Sequence, residues 1–193
     1  IGSIDSTGSV NQDAGFSIVS YTGNGSNGAS FSHGLNVKPK IVLIKNRTTA
    51  KNWVYWQDTT NNGTSDVRLC LNLTNANFNN FHVTFGTSTI TLGDTDDAWN
   101  KSGDNLIAYC FAEKQGYSKS GSFTANGSST DNSFIYTGFK VGWLMIKKTS
   151  GTSNWTIWDS VRQSNEINKP LWGDLNSAEA AQSTVKLDLL SNG

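Results

Sequence analysis

The chain has 193 residues, room for one large domain or two small ones, and its 36% of hydrophobic residues, with seven Trp and nine Phe, fills a core and excludes a disordered chain. Only 16% of residues are charged, below the roughly 25% usual in soluble domains, so Ser, Thr, Asn and Gly solvate the surface, as suits work outside the cytoplasm. Fifteen basic residues balance fifteen acidic ones with no basic run, which discounts nucleic acid and anionic membranes as partners, and no apolar stretch approaches the roughly 18 residues of a membrane-inserted span.

In chain order, residues 1–14 read as an extended N-terminal segment. The start, IGSIDSTGSV, lacks the basic-then-apolar pattern of a signal peptide, and Ile1 is not an initiator Met, so a chain processed or cut from a larger protein is expected. Short runs rich in β-branched and aromatic residues follow, bounded by Gly, Asn and Ser clusters as strands and turns demand. Over residues 15–115 they are FSIVSYT, KIVLIKN, WVYW, VRLCLNL, FHVTF, STITL and NLIAYCFAE. Over residues 116–193 they are SKSGSFT, SFIYTGF, WLMIKK, WTIWDS, KPLWGDL and TVKLDLL. Only SAEAAQ, opening on Ser177 as a cap, reads as helix.

The two stretches repeat one another. Tyr21-Thr22 and Asn24-Gly25-Ser26 reappear as Phe123-Thr124 and Asn126-Gly127-Ser128, Asn126 lying 102 residues after Asn24. Ile44-Lys45 matches Ile146-Lys147, and Asn52-Trp53 with Trp56 matches Asn154-Trp155 with Trp158, at the same offset. The expected fold is therefore all-β: two tandem antiparallel β-sandwich units, lectin-like or jelly-roll-like, related by internal duplication. The Asn-Gly pairs should occupy equivalent turns with positive φ. The second unit reaches Gly193 without a counterpart of NLIAYCFAE, so either further chain or another molecule is expected to cover that edge.

Residues three apart on a strand point to opposite faces, so one of Trp53 and Trp56, and one of Trp155 and Trp158, should face outward. Repetition at the same place argues for packing, whereas an outward indole is a platform for the apolar face of a sugar. These four are the candidate ligand-binding residues.

Catalytic motifs are missing from the sequence: it has no GxSxG elbow, HExxH or phosphate-binding Gly loop, and Glu113, Glu166 and Glu179 do not recur between the units. The chain is therefore read as no enzyme. His33 and His82 lie in different segments, and Cys70 and Cys110 each sit in an apolar run, as free buried thiols do. Asp94, Asp96, Asp97 and Asp104 share one loop whose oxygens suit Ca²⁺, although Ala98 breaks the familiar calcium spacing and a plain solvated loop is the simpler reading. No other metal or cofactor is expected.

DAGFSIVSYTGNGSNGASFSHGL, PKIVLIKNR, NWVYW, SGDNLIAYCFAEKQGYSKSGSFTANGSS, FIYTGF and NWTIWD together resemble an uncharacterised domain family that recurs in tail-fibre-like proteins of marine bacteriophages and cyanophages. The resemblance spans nearly the whole chain from about Asp13 and carries no catalytic residues. It implies an extracellular virion protein, adhesive at the host surface. The partners expected are a bacterial surface glycan or outer-membrane receptor and other virion subunits, as a homo-oligomer. A purely architectural virion domain (capsid decoration, spacer or subunit contact) is the alternative, and a secreted carbohydrate-binding module the third.

Overall fold

A computed structural model describes residues 2–78, 82–127, 133–162, 166–179, 181 and 187–193. Strands β1 (Ser6–Asn11), β2 (Phe16–Thr22), β3 (Ser30–Ser32), β4 (Ile41–Asn46) and β5 (Val54–Gln57) come first. They are followed by β6 (Val67–Cys70), β7 (Val83–Phe85), β8 (Thr89–Leu92) and β9 (Asn105–Phe111). The remainder carries β10 (Trp143–Ile146), β11 (Thr156–Asp159), β12 (Glu166–Ile167), β13 (Leu171–Trp172) and β14 (Leu187–Asp188).

The all-β expectation holds, and every described pairing is antiparallel. A six-stranded sheet runs β1-β2-β9-β4-β5-β6, and a three-stranded sheet runs β3-β8-β7. Strict alternation explains how they meet. Val19 and Tyr21 of β2, Val42 and Ile44 of β4, and Leu106, Ala108 and Cys110 of β9 all point to one face. That face shares a core with Phe31, Val83, Phe85, Ile90 and Leu92 of the smaller sheet, giving a sandwich. Trp56 and Trp99 meet edge to face at its centre, ring centroids 5.0 Å apart. Each such buried side chain stabilises the fold by about 1.5–3 kcal/mol relative to exposure.

The second half builds a smaller sheet, β10-β11-β13, and a ribbon of β12 and β14. The β10-β11-β13 sheet reproduces the β4-β5-β6 meander residue for residue. Ile41 faces Gln57 and Val42 faces Trp56, while Trp143 faces Asp159 and Leu144 faces Trp158. Likewise Val54 faces Cys70 and Tyr55 faces Leu69, while Thr156 faces Trp172 and Ile157 faces Leu171. Even the flanking bonds recur: Leu71 N–H donates to Trp53 C=O and Gly173 N–H to Trp155 C=O, both at 3.0 Å.

Beyond that meander the halves differ. SKSGSFT and SFIYTGF, expected as strands, lie outside the sheets, and only Ser118 makes a bridge, with Lys114. β2, the first-half counterpart of SKSGSFT, is held between β1 and β9. Among the described residues no strand occupies the β9 position of the second sheet, so the extended segment has no ladder in which to satisfy its backbone. The N-terminal segment, in turn, contributes β1 to the first sheet. No helix occurs among the described residues; of the expected helix 177–182, Ala180 and Gln182 lie outside them. Parts of FHVTF, ANGSS and TVKLDLL also lie outside.

The small sheet lies against the outer face of the large one. Trp155 joins Tyr55, Val67 and Leu69 in a second core, with Met145, Ile41 and Leu43 packed on it. This explains why all four residues of β5 are buried: the strand is covered on both faces.

Candidate functional site

Trp56 at 0% exposure and Trp158 at 6% are core residues, and Trp155 at 3% lies under the contact between the halves. This corrects their assignment as sugar platforms, because a stacking residue needs an open ring face. Trp155 is covered by Tyr55, the rings meeting edge-on at 5.3 Å. Trp53, just before β5, is half-buried and leans on Tyr109 with centroids 6.1 Å apart. Opposite facing of Trp53 and Trp56 holds, yet only Trp53 keeps access to solvent.

The acidic loop turns its carboxylates to its own chain. Asp96 Oδ1 accepts from Ala98 N–H at 2.8 Å, and Asp94 Oδ1 accepts from Asp96 N–H at 3.2 Å. Asp97 pairs with Lys51 at 3.3 Å and Lys101 at 3.8 Å. Asp104 Oδ2 accepts from Thr49 Oγ1 at 2.6 Å and Asn46 Nδ2 at 2.7 Å, and these bonds hold its carboxyl below the usual range. Among the described residues no three His, Cys, Asp or Glu side chains are grouped to hold a metal. Asp94, Asp96, Asp97 and Asp104, weighed as Ca²⁺ ligands, are therefore not gathered on one point: Asp97 faces two lysines, and Asp104 is held by Thr49 and Asn46.

His33 is buried, accepting from Leu35 N–H at Nδ1 and facing Gly86 C=O with Nε2, so burial favours its neutral form. His82 is exposed, its Nδ1 2.6 Å from Ser65 C=O. Cys70 and Cys110 are free and buried, as expected. Burial pushes the Cys110 thiol up to about 12.

A cleft of about 330 Å³ opens where the first half passes into the second. The turn after β9, closed by Lys114 N–H to Ser118 C=O, supplies Glu113, Lys114 and Lys119; the segment 136–139 supplies Tyr136 and Thr137. Tyr136 is 60% exposed. Lys119 Nζ donates to the Tyr136 carbonyl at 3.0 Å and sits 5.4 Å from the ring centroid, fixing the aromatic against the turn. Glu113 Oε1 accepts from Ser120 N–H at 2.8 Å, while the residue remains exposed. In the sequence Tyr136 lies inside FIYTGF, a strand-like run; among the described residues that run joins no sheet, and Tyr136 stays at the surface.

Fold and surface together define a β-sandwich-type all-β protein with a second, smaller sheet docked on it. The chain belongs to the family described as a domain of unknown function (DUF7483), which it matches over residues 1–193. No curated protein and no solved structure matches it.

Proposed function

We propose that this chain is a non-catalytic adhesion module of a phage virion, which holds a host-surface glycan in the cleft beside Tyr136. One observation carries the reading: an exposed aromatic side chain lies beside a carboxylate, two ammonium groups and a hydroxyl in one concavity. A sugar presents an apolar C–H face and a rim of hydroxyls. The first stacks on Tyr136, and the second meets Glu113, Lys119 and Thr137. Such shallow sites are weak singly and gain strength when a homo-oligomeric fibre presents many of them. The tail-fibre-like sequence resemblance supports the virion setting. The half-buried Trp53 beside Tyr109 is a second, smaller platform on the outer face.

The test is a glycan array probed with the chain displayed multivalently. Retention of a bacterial surface glycan, lost on Tyr136→Ala with thermal stability unchanged, is the expected result. Absence of retained sugar, or retention that ignores Tyr136→Ala, overturns the reading.

The architectural alternative is favoured by a different observation: Phe123, Phe134 and Trp143 expose 49–59% of their surface on the second half. Contact with other virion subunits through them predicts self-association that rises with concentration in sedimentation.

A further inference from the structure

In the first half, β4 is an interior strand. One edge pairs with β5 and the other with β9, where Ile41 faces Phe111, Val42 faces Cys110, Leu43 faces Tyr109 and Ile44 faces Ala108. In the second half β10 repeats the β4 pairing to its neighbour in the same register, yet it ends its sheet. Among the described residues no strand lies on its outer edge.

That edge lacks the usual protection. Trp143-Leu144-Met145-Ile146 is uncharged and free of Pro, whereas exposed edges are normally blunted by Lys, Pro or a bulge. The nearest lysine, Lys147, is turned back onto the first half, donating to the carbonyls of Thr74 and Asn75. The side chains around the edge show the same want of a neighbour. Tyr21, which faces Leu106 of β9, is 3% exposed, whereas its repeat counterpart Phe123 is 49% exposed.

We propose that the free edge of β10 is an acceptor for one further antiparallel strand with the pattern of β9. The occupant is an extended segment with small side chains in the Ala108 and Cys110 places on one face and bulkier ones, such as Tyr109, on the other. The register is set by the repeat: the residue in the Cys110 place faces Leu144, and the one in the Ala108 place faces Ile146. Main-chain hydrogen bonds supply affinity, and the thin face lets the added strand lie flat over the apolar side chains below it. The first half supplies the template, since it contains the same meander with that position filled.

The test uses a synthetic peptide of residues 104–112 titrated into the full chain, read by amide hydrogen exchange and thermal melting. Exchange at 143–146 should slow about tenfold once free peptide is tenfold above its dissociation constant, with a rise in Tm. The same peptide carrying Ala108→Pro should do neither, because Pro removes a ladder donor. A second arm fuses residues 104–112 behind residue 193 through a Gly/Ser linker, so that peptide insolubility does not decide the outcome. Protection confined to β2 and β4 would mean strand exchange in the first sheet and overturns the proposal. So does protection of 143–146 that needs no added strand and grows with protein concentration, since a second copy is then the occupant. Unchanged exchange at 143–146 in both arms overturns it as well.

Discussion

The indole N–H of Trp155 donates to the carbonyl oxygen of Cys70 at 2.8 Å, a buried bond that ties the second sheet to the edge of the first. With the edge-on contact to Tyr55, this makes Trp155 the main anchor between the halves. Trp155→Ala should cost about 3–5 kcal/mol, as removal of a buried Trp does. Trp155→Phe keeps most of the volume and loses the bond, costing about 1 kcal/mol beyond the smaller ring. Chemical denaturation measures both. Hydrogen exchange should show β10 and β11 opening well before β9 in the Ala variant.

Acid sensitivity should trace to Asp104. Hydrogen bonds from Thr49 and then Asn46 favour its charged form, so its folded pKa lies below the unfolded value. The stability this adds is fully present above the unfolded pKa and is lost as pH falls through the folded one. Thr49→Val should therefore lower Tm at neutral pH, and the gap to the parent should begin to narrow below about pH 4 and close only once pH has fallen through the lowered folded pKa of Asp104. A Tm series from pH 7 to pH 2 checks this; a gap that stays constant with pH contradicts it.

Both thiols should be silent until the chain unfolds. Cys110 is 0% and Cys70 4% exposed, and burial raises both thiol pKa values, Cys110 to about 12. A thiol-specific reagent at pH 8 should label neither in native protein and both in denaturant. Rapid native labelling of Cys110 would mean that the central strand β9 opens locally.

The two Asn-Gly turns should respond unequally to the same change. Gly25 and Gly127 have φ of +67° and +73°, as expected from the repeat. Gly→Ala costs about 1 kcal/mol of strain at either site. At Gly25 the new methyl also meets Ser102 Cβ at 3.2 Å, whereas no described residue lies within 4 Å of a methyl at Gly127. Gly25→Ala should thus lower Tm more than Gly127→Ala, and an equal effect would exclude the Ser102 contact as a cause.

The sequence by itself determined most strands of the first half. Runs of β-branched and aromatic residues bounded by turn residues in FSIVSYT, KIVLIKN and NLIAYCFAE mark β2, β4 and β9. β10 and β11 pair in the same register as β4 and β5, 102 residues further along the chain. Side-chain period is a property of the strand, and register follows from which face is buried, so both are written along the chain.

What only the tertiary structure decided is which of those faces meets another. SKSGSFT has strand-like residues but no ladder neighbour among the described residues, so it lies outside the sheets and leaves Phe123 at the surface. Trp53 and Trp155 hold equivalent places in the repeat. One keeps solvent access and the other is sealed, because docking the small sheet on β4, β5 and β6 covers Trp155 and not Trp53. The cleft at Tyr136 likewise exists only because a turn after β9 and a segment some twenty residues later come together. Burial by a distant segment and concavity between segments are properties of the chain's path, and hydrophobic periodicity within one strand does not encode them.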